Sequence, residues 1–145
     1  MPDLNHCGRV LAVALGLWFL SWQGSAAACL KYEPASATLS GTIATRTAFG
    51  PPNYGEDPKH DSREHYLVLA LDKPICVDAD PNSNLNYESA ADVAAVQLVY
   101  FEKYPFHKAW LNKHVTVTGT LFAAETGHHH TPVLIQVTAT KPVPK

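Results

Sequence analysis

Residues 114–137, HVTVTGTLFAAETGHHHTPVLIQV, decide the fold because they hold two strand patterns joined by one polar segment. In the first pattern, valine, glycine and leucine take every second position and threonines take the positions between them. In the second, β-branched residues take alternate positions in the same way. A period of two predicts strands that bury one face, so we expect strands at 114–122 and 132–140.

Three segments nearer the N-terminus also have strand character. Residues 37–46 alternate between apolar and polar side chains, and residues 93–101 are rich in valine. Residues 64–72 are apolar on both faces, and we expect Pro74 to end that strand because proline has no N–H to donate to a ladder.

A short helix is expected between the third and fourth strands. Phe106 and Trp110 are spaced as i and i+4, which predicts a helix beginning near Pro105. Three strands, a helix and two strands is the order of the OB-fold. We therefore predict a mainly β domain at residues 29–145, a small five-stranded OB-like barrel with one short helix between strands three and four.

Composition supports a single packed domain and argues against nucleic acid as a partner. The chain has 145 residues, of which 46% are hydrophobic and 17% charged, enough apolar surface for a core. Its net charge is -2, whereas a nucleic-acid footprint needs clustered lysine and arginine.

The N-terminal residues have the order of a secretory signal peptide. Arg9 precedes the apolar run 10–20, which is shorter than the roughly 20 residues of a membrane-spanning helix. Ala26 and Ala28 fit the small residues before a cleavage site, and cleavage one residue earlier is the alternative. We predict a signal peptide at residues 1–28 and an exported bacterial protein, periplasmic or secreted.

Cys29 has two interpretations once the signal peptide and Cys7 are removed. It can form a disulfide with Cys76, because exported proteins occupy compartments where disulfides persist. Both cysteines are expected at the same end of the first strand pair, which makes the bridge geometrically plausible. The alternative is a lipid anchor on Cys29, although Ala26 stands where a lipobox has a leucine-like residue.

Three consecutive histidines, His128, His129 and His130, form the candidate metal site. In an extended segment His128 and His130 share a face, and their imidazoles can bind zinc or copper with Glu125 as an added oxygen ligand. The alternatives are a loop shaped by hydrogen bonds of the imidazoles and a contact with a partner. All three interpretations stay open from the sequence.

Two loops of the expected barrel are candidates for a binding surface. In OB barrels the loops that join strands one to two and four to five often flank the ligand face, and here they are residues 47–62 and 123–131. Aromatic side chains in a loop suit a contact surface, although they can also hold the loop in shape. The predicted binding residues are Phe49, Pro51, Pro52, Tyr54, His128, His129 and His130.

Four segments carry a resemblance to a known family. They are CLKYEPA at 29–35, GPPNY at 50–54, LDKPICVDAD at 71–80 and VTVTGTLFAAETGHHHTPV at 115–133. With the strands between them, these segments make the chain resemble a family of small exported bacterial proteins described only as a domain of unknown function. The resemblance implies the fold and export, and it implies no activity.

The sequence contains no motif for a catalytic nucleophile, a phosphate-binding loop or a helical zinc-protease site. We therefore expect a non-enzymatic binding module whose partner is a protein or a cell-envelope ligand. One concrete version is an inhibitor or immunity-type protein that acts on an envelope enzyme or toxin. The alternative is a periplasmic metal-binding protein that uses the histidines at 128–130.

Overall fold

The computed structural model describes residues 28–143, and within them the chain is mainly β. The predicted signal peptide, apart from Ala28, lies outside the described residues, as does Cys7. The elements are β1 (Leu30–Lys31), β2 (Ser36–Phe49), β3 (Arg63–Asp78), β4 (Ala90–Val99), a 3-10 helix (Lys108–Trp110), β5 (His114–Ala123) and β6 (Val133–Pro142).

The strands form one six-stranded sheet with the order β1-β3-β2-β5-β6-β4, and β3 also pairs with β4. The pairings from β3 through β2, β5, β6 and β4 therefore return to β3. Most of these pairs are antiparallel, whereas β4 with β6 and β1 with β3 are parallel. The parallel β4–β6 pair has only three residue pairs, from Gln97 with Leu134 to Val99 with Gln136.

The prediction of five strands was wrong by one, because β1 has two residues and is too short to show a periodic pattern. The predicted helix near Pro105 was also wrong: this segment contains a single 3-10 turn. His107 before that turn and Leu111 after it both have extended backbone, so no α-helical turn forms. The rings of Phe106 and Trp110 still pack edge to face, with their centroids 6.3 Å apart.

Pro74 does not end the second long strand, contrary to expectation. β3 continues to Asp78, and its register with β4 shifts between Ala70 and Ile75. A shift of register leaves residues without a ladder partner, which is where a strand tolerates proline.

The alternating residues predicted for the last two strands form the centre of the core. Along β5 every second side chain from Val115 to Leu121 is buried, and the partly exposed threonines lie between them. Gly119 belongs to the buried face, and a Cβ there would lie 2.1 Å from the carbonyl oxygen of Gln136 in β6. β5 and β6 approach so closely at this point that only glycine fits, and their register shifts between Thr118 and Gly119.

Cys29 and Cys76 form a disulfide across 47 positions of sequence, as predicted. Leu30 follows Cys29 and pairs with Val77, the neighbour of Cys76. The bridge therefore attaches the N-terminal strand β1 to the C-terminal end of β3.

Candidate functional site

Two loops meet at one end of the sheet. The proline loop is residues 50–62, between β2 and β3, and the histidine loop is residues 124–132, between β5 and β6. The Tyr54 hydroxyl lies 3.4 Å from Nε2 of His128, and the two rings pack edge to face with centroids 5.5 Å apart. A Cβ at Gly127 would lie 2.6 Å from the Tyr54 ring, so glycine lets this ring rest against the histidine loop.

Glu64, near the start of β3, joins the two alternate histidines. Its Oε1 lies 2.7 Å from Nδ1 of His128, and its Oε2 lies 3.1 Å from Nε2 of His130. The His128 side chain is 58% exposed and the His130 side chain 11%, so one imidazole faces solvent and the other is covered. Since a carboxylate accepts hydrogen bonds, each of these ring nitrogens can act as the donor.

The side chain of Gln97 in β4 fixes the backbone of the histidine loop. Its side-chain oxygen accepts a hydrogen bond from the His130 N–H at 2.7 Å, and its Nε2 donates to the His128 carbonyl at 3.0 Å. The Gln97 N–H donates to the Thr131 hydroxyl, which in turn donates to the carbonyl of Val133. A buried polar group with all these partners holds a loop in one conformation.

His129 faces away from this network. Its Nδ1 accepts a hydrogen bond from the N–H of Glu125 at 2.9 Å, and its ring meets the edge of Phe122. Burial lowers the pKa of the His129 side chain below its usual value. The charge of Glu125 opposes that shift, and the two neighbouring histidines reinforce it. His129 thus shapes the loop, as one of the three interpretations expected.

The predicted metal ligands were His128, His130 and Glu125, and the carboxylate beside the two histidines is a different one. Glu64, rather than Glu125, lies beside His128 and His130. Within residues 28–143 no group of three histidine, cysteine, aspartate or glutamate side chains is arranged to hold a metal ion. Zinc binds nitrogen at about 2.0–2.1 Å, so an ion bound by the two ring nitrogens that face Glu64 would replace their hydrogen bonds to Glu64.

The remaining predicted binding residues order the proline loop. Phe49 lies under the guanidinium of Arg63, 3.8 Å from its ring centroid, and the carbonyl of Pro51 accepts a hydrogen bond from Ser62. Pro52 is exposed. None of these three residues forms a hydrogen bond or a ring contact with the histidines in the described part of the chain.

Asp61 gives the proline loop its shape. Its carboxylate accepts hydrogen bonds from the N–H groups of Asn53 and Gly55, both at 2.7 Å, on either side of Tyr54. Slight burial raises the pKa of Asp61, but these backbone hydrogen bonds lower it more, so the net pKa is below its usual value. The carboxylate form therefore holds Tyr54 in place against His128.

Sequence reasoning missed Glu64, Gln97 and Tyr66. The Tyr66 ring packs against His130 in a tilted arrangement, with centroids 4.6 Å apart. Each of these residues lies inside a strand segment and is more than 30 positions from the histidines. The one available signal was the position of Glu64, a charged residue that precedes the apolar run 66–71 and lies close after the candidate loop.

Glu64 is held in its charged form. Partial burial raises the pKa of its carboxyl, but the hydrogen bonds and charges of His130 and His128 lower it more, so the net pKa is below the usual value. An ionised Glu64 with two imidazole partners forms a hydrogen-bonded clamp between the start of β3 and the histidine loop.

Replacing Glu64 by glutamine should change how stability depends on pH. A depressed carboxyl pKa contributes stability above the unfolded value of about 4.5, and this contribution is lost as pH falls through the lower folded value. Urea unfolding from about pH 6 to pH 3 should therefore show the advantage of the wild type over Glu64→Gln shrinking as acid is added. The control is Glu56→Gln in the proline loop that precedes β3; an advantage that does not vary with pH would contradict the clamp.

Comparisons with known proteins find a family model that matches the C-terminal part of the chain. A family model described as "Domain of unknown function (DUF4431)" matches residues 95–141, which confirms the resemblance to a family of unknown function for that region. The match includes Gln97 and the histidine loop and lies after Tyr54 and Glu64. No curated protein and no solved structure shows significant similarity to the chain. Among the described residues, no helix is long and apolar enough to cross a membrane.

Proposed function

We propose that this protein is an exported, non-enzymatic binding module on an OB-like barrel. The circuit of strand pairings that returns to β3 supports the barrel, and the disulfide is consistent with export. The order of residues 1–28 supports a signal peptide, which would place the mature protein in the bacterial periplasm or outside the cell.

One observation carries the binding role: Tyr54, His128, Glu64 and His130 form a continuous network between the two loops. A partner that docks across both loops meets groups whose geometry is already set, so less conformational entropy is lost on binding. Tyr54 and His128 are the exposed members, an aromatic ring and an imidazole that can each combine apolar contact with a hydrogen bond.

The proposed partner is a protein or a cell-envelope ligand. The concrete version is an inhibitor or immunity-type protein that covers the site of an envelope enzyme or toxin with these loops. A rigid loop pair on a small disulfide-linked domain suits that role, because pre-organised complexes form with little change in backbone.

A second candidate is a periplasmic metal-binding protein. It is favoured by the meeting of the His128 and His130 nitrogens at one carboxylate, since a cation attracted by Glu64 would find two imidazoles beside it. Zinc or copper would then exchange the hydrogen bonds of Glu64 for coordination, with Glu64 in the place predicted for Glu125.

Affinity capture from bacterial periplasmic extract tests the binding role, with the chain from Cys29 onwards as bait. Tyr54→Ala and His128→Ala should each lower the amount of retained partner at least tenfold, because both remove exposed groups of the network. The matched control is Tyr104→Ala, which removes another exposed tyrosine outside the two loops. Retention that is unchanged by both loop variants would count against this surface.

Zinc titration of the chain from Cys29 onwards, without an affinity tag, separates the metal-binding function from the binding-module function. One-to-one binding that is abolished by His128→Ala and by His130→Ala would move the function to metal binding. Weak binding of several ions that neither His128→Ala nor His130→Ala affects would rule out the metal-binding function.

A further inference from the structure

A second surface of the molecule exposes two large apolar side chains beside each other. Leu85 is 51% exposed and Tyr87 is 61% exposed, on the connection between β3 and β4. The residue between them, Asn86, is only 3% exposed. A leucine and a tyrosine that are exposed so close together offer apolar area that a partner could cover.

Asn86 explains why its two neighbours face outward. Its side-chain oxygen accepts a hydrogen bond from the N–H of Ala123 at 2.9 Å, which ties the connection to the end of β5. Its own N–H donates to the Ser83 hydroxyl, and its carbonyl accepts from the N–H of Asp80 at 2.7 Å. Because both the side chain and the backbone of Asn86 are bonded inward, Leu85 and Tyr87 are held in the solvent-facing positions on either side.

The surface is also negatively charged. A shallow cavity of about 290 Å³ separates the connection from the end of β5, and Leu85, Tyr87, Glu88 and Glu125 line it. No lysine, arginine or histidine is among the lining residues. Neither Glu88 nor Glu125 forms an ion pair within residues 28–143, so no cation among these residues neutralises either carboxylate.

We propose that this acidic apolar surface, formed by Leu85, Tyr87, Glu88 and Glu125, docks a basic segment of a partner protein. The occupant is a stretch in which lysine or arginine alternates with apolar residues. Its apolar side chains cover Leu85 and Tyr87, and its cations meet the two carboxylates. Tyrosine at the centre of a contact and charge complementarity around it are the features that give an interface its affinity and its specificity.

The inference does not depend on the function proposed for the proline and histidine loops. None of its four residues belongs to the network of Tyr54, Glu64, His128 and His130. Glu125 lies in the histidine loop, whereas Leu85, Tyr87 and Glu88 lie outside both loops, so Leu85→Ala and Tyr87→Ala leave the network intact and the two proposals can fail separately.

A blocked peptide with the sequence Ac-RLRLR-amide is the probe, and Ac-ELELE-amide is its charge-reversed counterpart. Titration into ¹⁵N-labelled protein, read by NMR, should shift backbone signals of residues 84–88 and 123–125 with the basic peptide only. Tyr87→Ala and Leu85→Ala should each weaken binding at least fivefold. The matched control is Phe101→Ala, because Phe101 is also 51% exposed but lies outside this surface.

Charge is tested with a pair of double variants that alter the net charge equally. The double variant Glu88→Gln/Glu125→Gln should bind the basic peptide at least fivefold more weakly, and salt should affect its affinity less. The double variant Glu56→Gln/Glu102→Gln should keep the wild-type affinity and the wild-type salt dependence. Three results would each overturn the proposal. They are equal binding of the acidic peptide, signals that shift over the whole protein, and equal losses of affinity in the two double variants.

Discussion

Replacing both Cys29 and Cys76 by serine should lower the free energy of unfolding by about 4 kcal/mol. The bridge closes a loop across 47 positions, and the entropy that a cross-link of this span removes from the unfolded chain predicts a loss of that size. For a domain of this length the melting temperature should fall by on the order of 15 °C. Denaturant unfolding followed by circular dichroism measures the difference.

The wild-type protein under reductant is the companion measurement. Once mass spectrometry shows two free thiols, its unfolding midpoint should match that of the double serine variant. Hydrogen exchange should rise first at Leu30 and Lys31, because β1 has only two residues and lies next to the bridge. Equal midpoints for the oxidised and reduced forms would contradict a stabilising bridge.

Adding a single methyl group at Gly119 should cost about 3 kcal/mol or more. The Cβ of Gly119→Ala would lie 2.1 Å from the carbonyl oxygen of Gln136, and backbone atoms cannot move aside as a flexible side chain can. Gly41→Ala should behave alike, since its Cβ would lie 2.1 Å from the carbonyl oxygen of Ala70. Urea unfolding gives the loss for each variant.

Thr118→Ala is the control for Gly119→Ala. It also changes β5, but it removes a partly exposed side-chain methyl and a hydroxyl that bonds to Thr38 at 3.0 Å, so it should cost about 1 kcal/mol. If the glycine variants were as stable as Thr118→Ala, the close approach of the strands at Gly119 and Gly41 would be refuted.

The sequence was sufficient to predict the long strands, because burial of one face imposes a period of two. It could not predict β1, whose two residues are ordered by the parallel pairing with β3 rather than by a pattern of their own. The helix was mispredicted because the spacing of Phe106 and Trp110 reflects packing of their rings on the sheet, and that spacing does not require helical hydrogen bonds.

The candidate site was predictable only in part, for a similar reason. Alternation along an extended segment already separates His129 from His128 and His130. Glu64 reaches those two histidines because β3 begins beside the histidine loop, and Gln97 reaches them because β4 pairs with β6. Both contacts depend on sheet register, which the pattern of a single strand does not specify.

The circuit of strand pairings has a consequence for how other molecules can be recognised. Each strand from β2 to β6 has a strand neighbour on both sides over part of its length, so in the described residues only the two-residue β1 is an edge strand throughout. A foreign peptide that extends a sheet needs a free edge of several residues on which to add. The pairings therefore leave open only those parts of strands that lack a second neighbour, which limits growth into aggregates by strand addition.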